Sequence, residues 1–323
     1  MNQTAMTTQS SATLLGDIGG TNARFAILSG GVVSAPEHFV TRDYASPLAA
    51  MRAFLKLHSG ADTPSRAVFA VAGPIKCGRV QLTNAEWQLD AAEIARDLDF
   101  SAVDLLNDFA AQGWALPALH SGGSRAIGRG VPEPGAPQAV IGAGTGFGMA
   151  VRIETSGGET VLVTEGGHAS LAAETDAEDS VLRGLRLLHG HVSVERVLSG
   201  PGLVELYQLL AQDSADARPM REVSDIVQCG LDGSCPVSRT ALEMFCGWLG
   251  SVAGDVALLV GALGGVYISG GVVTHFIDFL ASSSFRARFE AKGRLANYAA
   301  AIPTYCVTHP DPAFLGLARY VSR

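Results

Sequence analysis

Residues 13–24, Thr-Leu-Leu-Gly-Asp-Ile-Gly-Gly-Thr-Asn-Ala-Arg, and residues 139–149, Ala-Val-Ile-Gly-Ala-Gly-Thr-Gly-Phe-Gly-Met, decide the fold. In each, a short apolar run meets a glycine-rich turn. A second apolar run follows, Ala23 to Ser29 in the first case and Met149 to Ile153 in the second. The pattern predicts two antiparallel hairpins. No fixed period of 20–50 residues accompanies them, so the repetition predicts a two-lobe duplication at most and not a solenoid.

Outward from the hairpins, helical spacing over Ser46 to Ser59, Ala91 to Leu98, Glu174 to Leu188, Leu203 to Leu210 and Ser238 to Leu263 alternates with strand-like runs. The strand-like runs are Arg66 to Ala72, Val103 to Leu106, Thr160 to Thr164, Val266 to Ile268 and Pro303 to Val307. Asp311-Pro312 reads as a cap with proline at the first helical position, opening a last helix to about Tyr320. Such alternation predicts the α/β class. A length of 323 residues suggests two domains and permits a large core. Hydrophobic residues make up 47% and charged residues 17%, which excludes a disordered or coiled-coil chain.

The net charge is −8, with no cluster of Lys or Arg, so no electrostatic footprint for nucleic acid is present. An anionic ligand must then be held locally, by backbone N–H groups or a metal. The five cysteines, Cys77, Cys229, Cys235, Cys246 and Cys306, lack C-x-x-C spacing, and free thiols are expected. Residues 1–12 read as a polar tail without a secretory signal, which suggests a cytoplasmic protein. Phe245 to Val273 carries little charge but contains Asp255 and a break at Gly264-Gly265; it reads as a buried helix followed by a strand, not a membrane span.

Glycine numbers 38, well above its usual share. None of the three lysines, Lys56, Lys76 and Lys292, follows a glycine, so a Walker-type P-loop is excluded. The dinucleotide fingerprint also fails, because its third glycine falls on Phe147. What remains are three strand-then-glycine turns, at Asp17 to Asn22, Gly142 to Gly148 and Ser269-Gly270-Gly271. Each can bring backbone N–H groups against a phosphate without a Cβ clash. Asp17 could hold Mg2+ directly or through water. An ordinary hairpin turn accounts for the first as well, and a helix-capping turn for the third.

Asn107-Asp108 ends a strand and begins a loop, where α/β folds place ligand contacts. Asp108 suits a base that accepts a proton from a substrate hydroxyl, or else a helix N-cap. Glu165-Gly-Gly-His168 sets a carboxylate and an imidazole around a glycine pair, a plausible polar ligand site. Glu195 is expected to pair locally with a nearby arginine at the surface. His189-Gly-His191 has no third ligand spaced nearby, so no metal site is expected.

These residues resemble the bacterial ATP-dependent glucokinases of the non-zinc type, within the actin-like sugar-kinase superfamily. The resemblance is carried by Gly16 to Arg24, Leu82-Thr-Asn84, Asn107-Asp-Phe109, Gly142 to Gly148, Glu165-Gly-Gly-His168, Ser269-Gly-Gly271 and above all His191-Val-Ser-Val-Glu-Arg-Val-Leu-Ser-Gly-Pro-Gly202. The zinc-binding repressor-like relatives carry a Cys-rich motif that this chain lacks. The resemblance implies a two-lobed fold with a central cleft: a small α/β lobe from residues 1–118 and 309–323 and a large lobe from 119–308. It implies Asp108 as the catalytic base, and Asn107, Glu165, His168 and Glu195 as glucose ligands. It implies Asp17, Gly19, Gly20, Thr21 and Asn22 as a first phosphate turn, Gly144, Thr145 and Gly146 as a second, and Gly270 and Gly271 on the adenosine side. The implied reaction is phosphorylation of glucose by ATP with Mg2+ in a cytoplasmic homodimer. A kinase of the same fold acting on another hexose, or with polyphosphate as donor, stays open. So does a sugar-sensing protein without catalysis, though Asp108 and the lack of a DNA-binding segment speak against it.

Overall fold

The computed structural model describes residues 12–323 except 61–62, 83–85, 213 and 217. The Thr83-Asn84 motif and tail residues 1–11 lie outside the described residues. Ala12, assigned above to the tail, is buried, and its carbonyl accepts from Ser65 N–H at 3.1 Å. The chain forms two compact units. One runs to Pro117 and regains Asp311–Arg323; the other is Ala118–Pro310.

The first unit is built on β1 (Thr13–Ile18), β2 (Asn22–Ser29), β3 (Val32–Val33), β4 (Glu37–Val40), β5 (Arg66–Val71) and β8 (Ala102–Asn107), with a small hairpin of β6 (Arg79–Gln81) and β7 (Gln88–Asp90). The sheet order is β3-β2-β1-β5-β8, with β4 also on β2. β1 pairs antiparallel with β2 and parallel with β5, which pairs parallel with β8. Parallel strands are covered on both faces, and β1 and β5 are accordingly almost wholly buried. The helix Pro47–Leu57 starts where Ser46 Oγ accepts from Ala49 N–H at 3.2 Å and Pro47 supplies a preset φ. It buries Met51 and Phe54, and Phe54 meets Phe25 and Phe39 with centroids 5.7 and 6.2 Å apart.

The C-terminal helix, Pro312–Val321, returns to this unit for a steric reason. A Cβ on Gly316 would lie 1.7 Å from the Ala111 carbonyl oxygen, so only glycine lets this helix touch the backbone of the helix Asp108–Ser121. Arg24 adds a bond to Asp311 at 2.5 Å.

The second unit has strands β9 (Ser124–Ile127), β10 (Gln138–Ala143), β11 (Phe147–Thr155), β12 (Gly158–Thr164), β13 (Val266–Ser269) and β14 (Thr304–Val307), in the order β12-β11-β10-β13-β14-β9. β10 and β13 run parallel with Gly142 opposite Ser269, so the glycine turns that follow them leave the same edge side by side. That edge is the carboxyl end of parallel strands, where open α/β sheets bind ligands.

The apolar run expected to form a helix over Ser238 to Leu263 forms Pro236–Val260, ended by Gly261 at φ +61°. Among the described residues it is the one helix long and apolar enough to cross a membrane, yet 67% of its most apolar window is buried inside the protein. Its glycines explain part of the glycine surplus. A Cβ on Gly250 would meet the Phe285 carbonyl oxygen at 2.1 Å, and one on Gly254 the Phe289 carbonyl oxygen at 2.5 Å. The helix Phe285–Glu290 therefore packs in backbone contact.

Candidate active site

Strand pairing continues past the point the sequence suggests: Gly142 pairs with Gly148 and Ala143 with Phe147. The turn shrinks to Gly144-Thr145-Gly146, closed by Gly144 N–H on the Gly146 carbonyl at 2.8 Å. Gly144 has nothing within 4 Å of a notional Cβ, so its surroundings are open. Gly270 has φ +99°, and a Cβ there would lie 2.2 Å from the Ala143 carbonyl oxygen, whereas Gly271 is open. Gly270 thus brings β13 and β10 together, and Gly271 faces free space. Gly270 also stands at the N-cap of a short helix, Gly271–Thr274, so the capping alternative for this turn is realised as well.

Gly144, Thr145 and Gly271 line one cavity of about 940 Å3. Its further wall is the start of the helix Gly200–Ala211, where Ser199 Oγ accepts from Gly202 N–H at 3.0 Å. Gly200 N–H donates to the Gly144 carbonyl at 2.8 Å, tying that helix end to the turn. Backbone N–H groups of two turns and the positive end of a twelve-residue helix border the cavity, an arrangement that suits an anion in an acidic protein.

Glu195 departs from expectation. Its Oε2 accepts from Phe147 N–H at 2.8 Å and stands 2.4 Å from a notional Cβ on Gly146. One carboxylate oxygen is taken by the backbone beside the second turn, and among the described residues no local arginine pairs with it. Gly167 fits against the same residue, its notional Cβ 2.1 Å from the Phe147 carbonyl oxygen. Gly166 meets the flexible end of Met149, its notional Cβ 2.5 Å from the Cε methyl, a contact that can give way. Of the glycine pair between Glu165 and His168, Gly167 is thus demanded by packing on β11, and both flanking side chains are exposed at the ends of a short 3-10 turn, Gly166–His168. Val194 N–H on the Ala169 carbonyl at 2.9 Å joins this turn to the segment carrying Glu195. Three motifs far apart in sequence therefore converge on Phe147. His191 Nε2 bonds the His168 carbonyl at 3.1 Å, and His189 pairs with Glu205 at 2.6 Å.

In the first unit, Gly19 to Asn22 is a two-residue hairpin loop around Gly20 and Thr21, closed by Gly19 N–H on the Asn22 carbonyl at 2.9 Å. The Thr21 carbonyl accepts from Thr41 N–H at 3.0 Å. Asp17 lies directly opposite Arg24 in register, and their side chains form an ion pair. One carboxylate oxygen is therefore engaged. The donors left here, one carboxylate and a threonine hydroxyl, fall short of a protein cage but fit Mg2+, which keeps most of its waters and takes one or two carboxylates alongside phosphates. Asn107 ends β8, and Asp108 opens the helix Asp108–Ser121 with no loop between them, correcting the expectation of a loop. Phe109 N–H donates to Asn107 Oδ1 at 2.9 Å and to Asp108 Oδ1 at 3.0 Å, so both side chains cap this helix start, where an anion complements the dipole.

A family model described as Glucokinase matches residues 14–323. The glucokinase of Paramagnetospirillum magneticum is 45% identical over 311 residues, covering 96% of this chain and 97% of its own length. The chain belongs to the glucokinase family. Glucokinase from an Antarctic psychrotroph superposes with a TM-score of 0.87 at 38% identity, over 97% of this chain and 99% of that one. A ROK-family glucokinase from Streptomyces griseus, solved in complex with glucose and AMPPNP, is only 18% identical and shares the fold at a TM-score of 0.66, covering 96% and 98%. The fold is that of the actin-like sugar kinases.

Within this glucokinase-family chain, sequence reasoning passed over several cavity residues: Arg196, Ser199, Gln208, Arg221, Val223 and Val272. Ser199-Gly-Pro-Gly202 carried a legible signal, a serine cap followed by proline in the first turn. Val223 opens the helix Val223–Leu231, whose apolar face carries a helical period, whereas Arg221 lies in irregular chain without one.

Proposed function

We propose that this chain transfers the γ-phosphoryl group of Mg2+-ATP to the 6-hydroxyl of glucose, with Asp108 as general base. The Asp108 carboxylate takes the hydroxyl proton while the sugar oxygen bonds to the γ-phosphorus. The bond from that phosphorus to the β–γ bridging oxygen breaks and ADP leaves. Such a transfer asks for positioning and charge neutralisation more than for covalent help. In the Gly19–Asn22 and Gly144–Gly146 turns, the backbone N–H groups that do not close the turns themselves would supply the neutralisation without a P-loop lysine, and magnesium arrives with the nucleotide. Asn107, Glu165, His168 and Glu195 would hold the sugar hydroxyls, since carboxylates form charge-assisted bonds to them.

One observation supports the reading above the others: the glycine turns after β10 and β13 open into the same cavity. A coupled assay for sugar phosphate tests it, and protein that phosphorylates no hexose from ATP overturns it. Replacing Asp108 with alanine should lower turnover by about 10^2–10^4-fold while ATP still binds in calorimetry. Wild-type rates in that variant would refute the base assignment. A cytoplasmic homodimer is part of the same reading, and sedimentation tests its second half.

A further inference from the structure

Val223 opens the helix Val223–Leu231, and the adjoining cavity wall, Arg221 and Glu222, belongs to a stretch, residues 218–222, that is neither helix nor strand. Its backbone groups therefore need partners outside a ladder. One side chain supplies two of them. The Tyr207 hydroxyl donates to the Arg218 carbonyl at 2.7 Å and accepts from Arg218 N–H at 3.0 Å. Tyr207 is 1% exposed and sits on the helix Gly200–Ala211, whose Gly200, Val204 and Gln208 line the cavity. It bridges two walls of the same cavity from behind. Two bonds support the pin: Ser238 Oγ lies 3.3 Å from Met220 Sδ, and Cys235 Sγ lies 3.7 Å from the Asp216 carbonyl. The walls meet where a Cβ on Gly200 would be 3.4 Å from Val223 Cγ2, so a shift of the 218–223 segment changes the cavity directly.

We propose that Tyr207 is a positioning residue for the nucleotide: its hydroxyl fixes the 218–223 wall and so sets affinity for ATP without touching it. The inference rests on the reading of the cavity as the nucleotide site. Tyr207→Phe keeps the ring that fills the core and removes the pin together with a weak contact of the hydroxyl to Cys235 Sγ at 3.8 Å. The variant should raise KM for ATP at least threefold, with kcat and the KM for glucose within twofold of wild type. Cleavage by trypsin after Arg221 should quicken in the native variant, a readout that needs no activity. A merely structural role would lower the active fraction, hence kcat, and leave both KM values alone. Met220→Leu conserves volume and loses the Ser238 contact; it should shift both readouts in the same direction by less, and it stands in should Tyr207→Phe fold poorly. ATP affinity within twofold of wild type in Tyr207→Phe, or an unchanged cleavage rate, overturns the proposal. Gly271→Leu, which projects a side chain into the cavity, separates the two failures. If it leaves KM for ATP unchanged, the nucleotide is not in this cavity and the site reading falls, whatever trypsin shows about the pin.

Discussion

Gly146→Ala places one methyl group where the structure allows none. The new Cβ would stand 2.4 Å from Glu195 Oε2, well inside ordinary carbon–oxygen contact. To clear it the carboxylate must retreat by about 1 Å. The bond from Phe147 N–H, now 2.8 Å, then passes beyond hydrogen-bond length. A hydrogen bond to a charged group contributes about 1.5–3 kcal/mol, and the buried N–H is left without a partner. A loss of about 2 kcal/mol lowers Tm by roughly 4–8 °C for a unit of this size. Gly144→Ala, two residues earlier, is the control. Nothing lies within 4 Å of its Cβ, so its Tm should stay within about 1 °C. Thermal unfolding by circular dichroism reads both. Because Glu195 is also a proposed sugar ligand, Gly146→Ala should raise KM for glucose by about tenfold or more, at about 1.4 kcal/mol per decade. Equal melting of the two variants, or an unchanged glucose KM in Gly146→Ala, would refute the coupling of turn and carboxylate.

Three further outcomes are expected. Gly316→Ala, with its Cβ 1.7 Å from the Ala111 carbonyl oxygen, should destabilise the first unit by about 1–3 kcal/mol or more, seen as a lower urea midpoint; an unchanged midpoint would mean the helices part freely. Arg288→Ala strips the two charged bonds, at 2.8 and 3.1 Å, from the buried Glu178 carboxylate, leaving it Glu174 N–H at 2.7 Å, and should cost about 3–5 kcal/mol in the same measurement. Burial pushes the Cys246 thiol up to about 12 and Cys306 up to about 11, so at pH 8 only roughly a thousandth of Cys306 is thiolate. In a thiol titration the exposed Cys77 should react first and these two only after unfolding. Since both folded values lie above the ordinary 9.0, their contribution to stability is complete below about pH 9 and lost as pH rises toward 11–12. A melting temperature that holds level to pH 12 would contradict that assignment.

The local chain determined a good deal by itself. Apolar runs ended by glycine clusters specify β1, β2, β10, β11 and β13, because strand periodicity and turn chemistry are short-range properties. The Asp17–Arg24 pair was also within reach, since hairpin register puts the two residues opposite each other. Other features depend on residues that meet only after folding. Asp311 reaches Arg24 from 287 residues away, and no local pattern encodes that. Glu195 looks like a surface carboxylate in Ser-Val-Glu-Arg, yet it becomes the partner of Phe147 N–H once β11 and the 194–197 turn are packed together. The helix opening at Asp108 was hidden because its apolar residues lie on every side, leaving no amphipathic period to detect. The glycine surplus divides along the same line. Its turns could be read from sequence, whereas Gly167, Gly250, Gly254 and Gly316 are required by backbone atoms distant in the chain, and which glycine touches which carbonyl is decided only by tertiary packing.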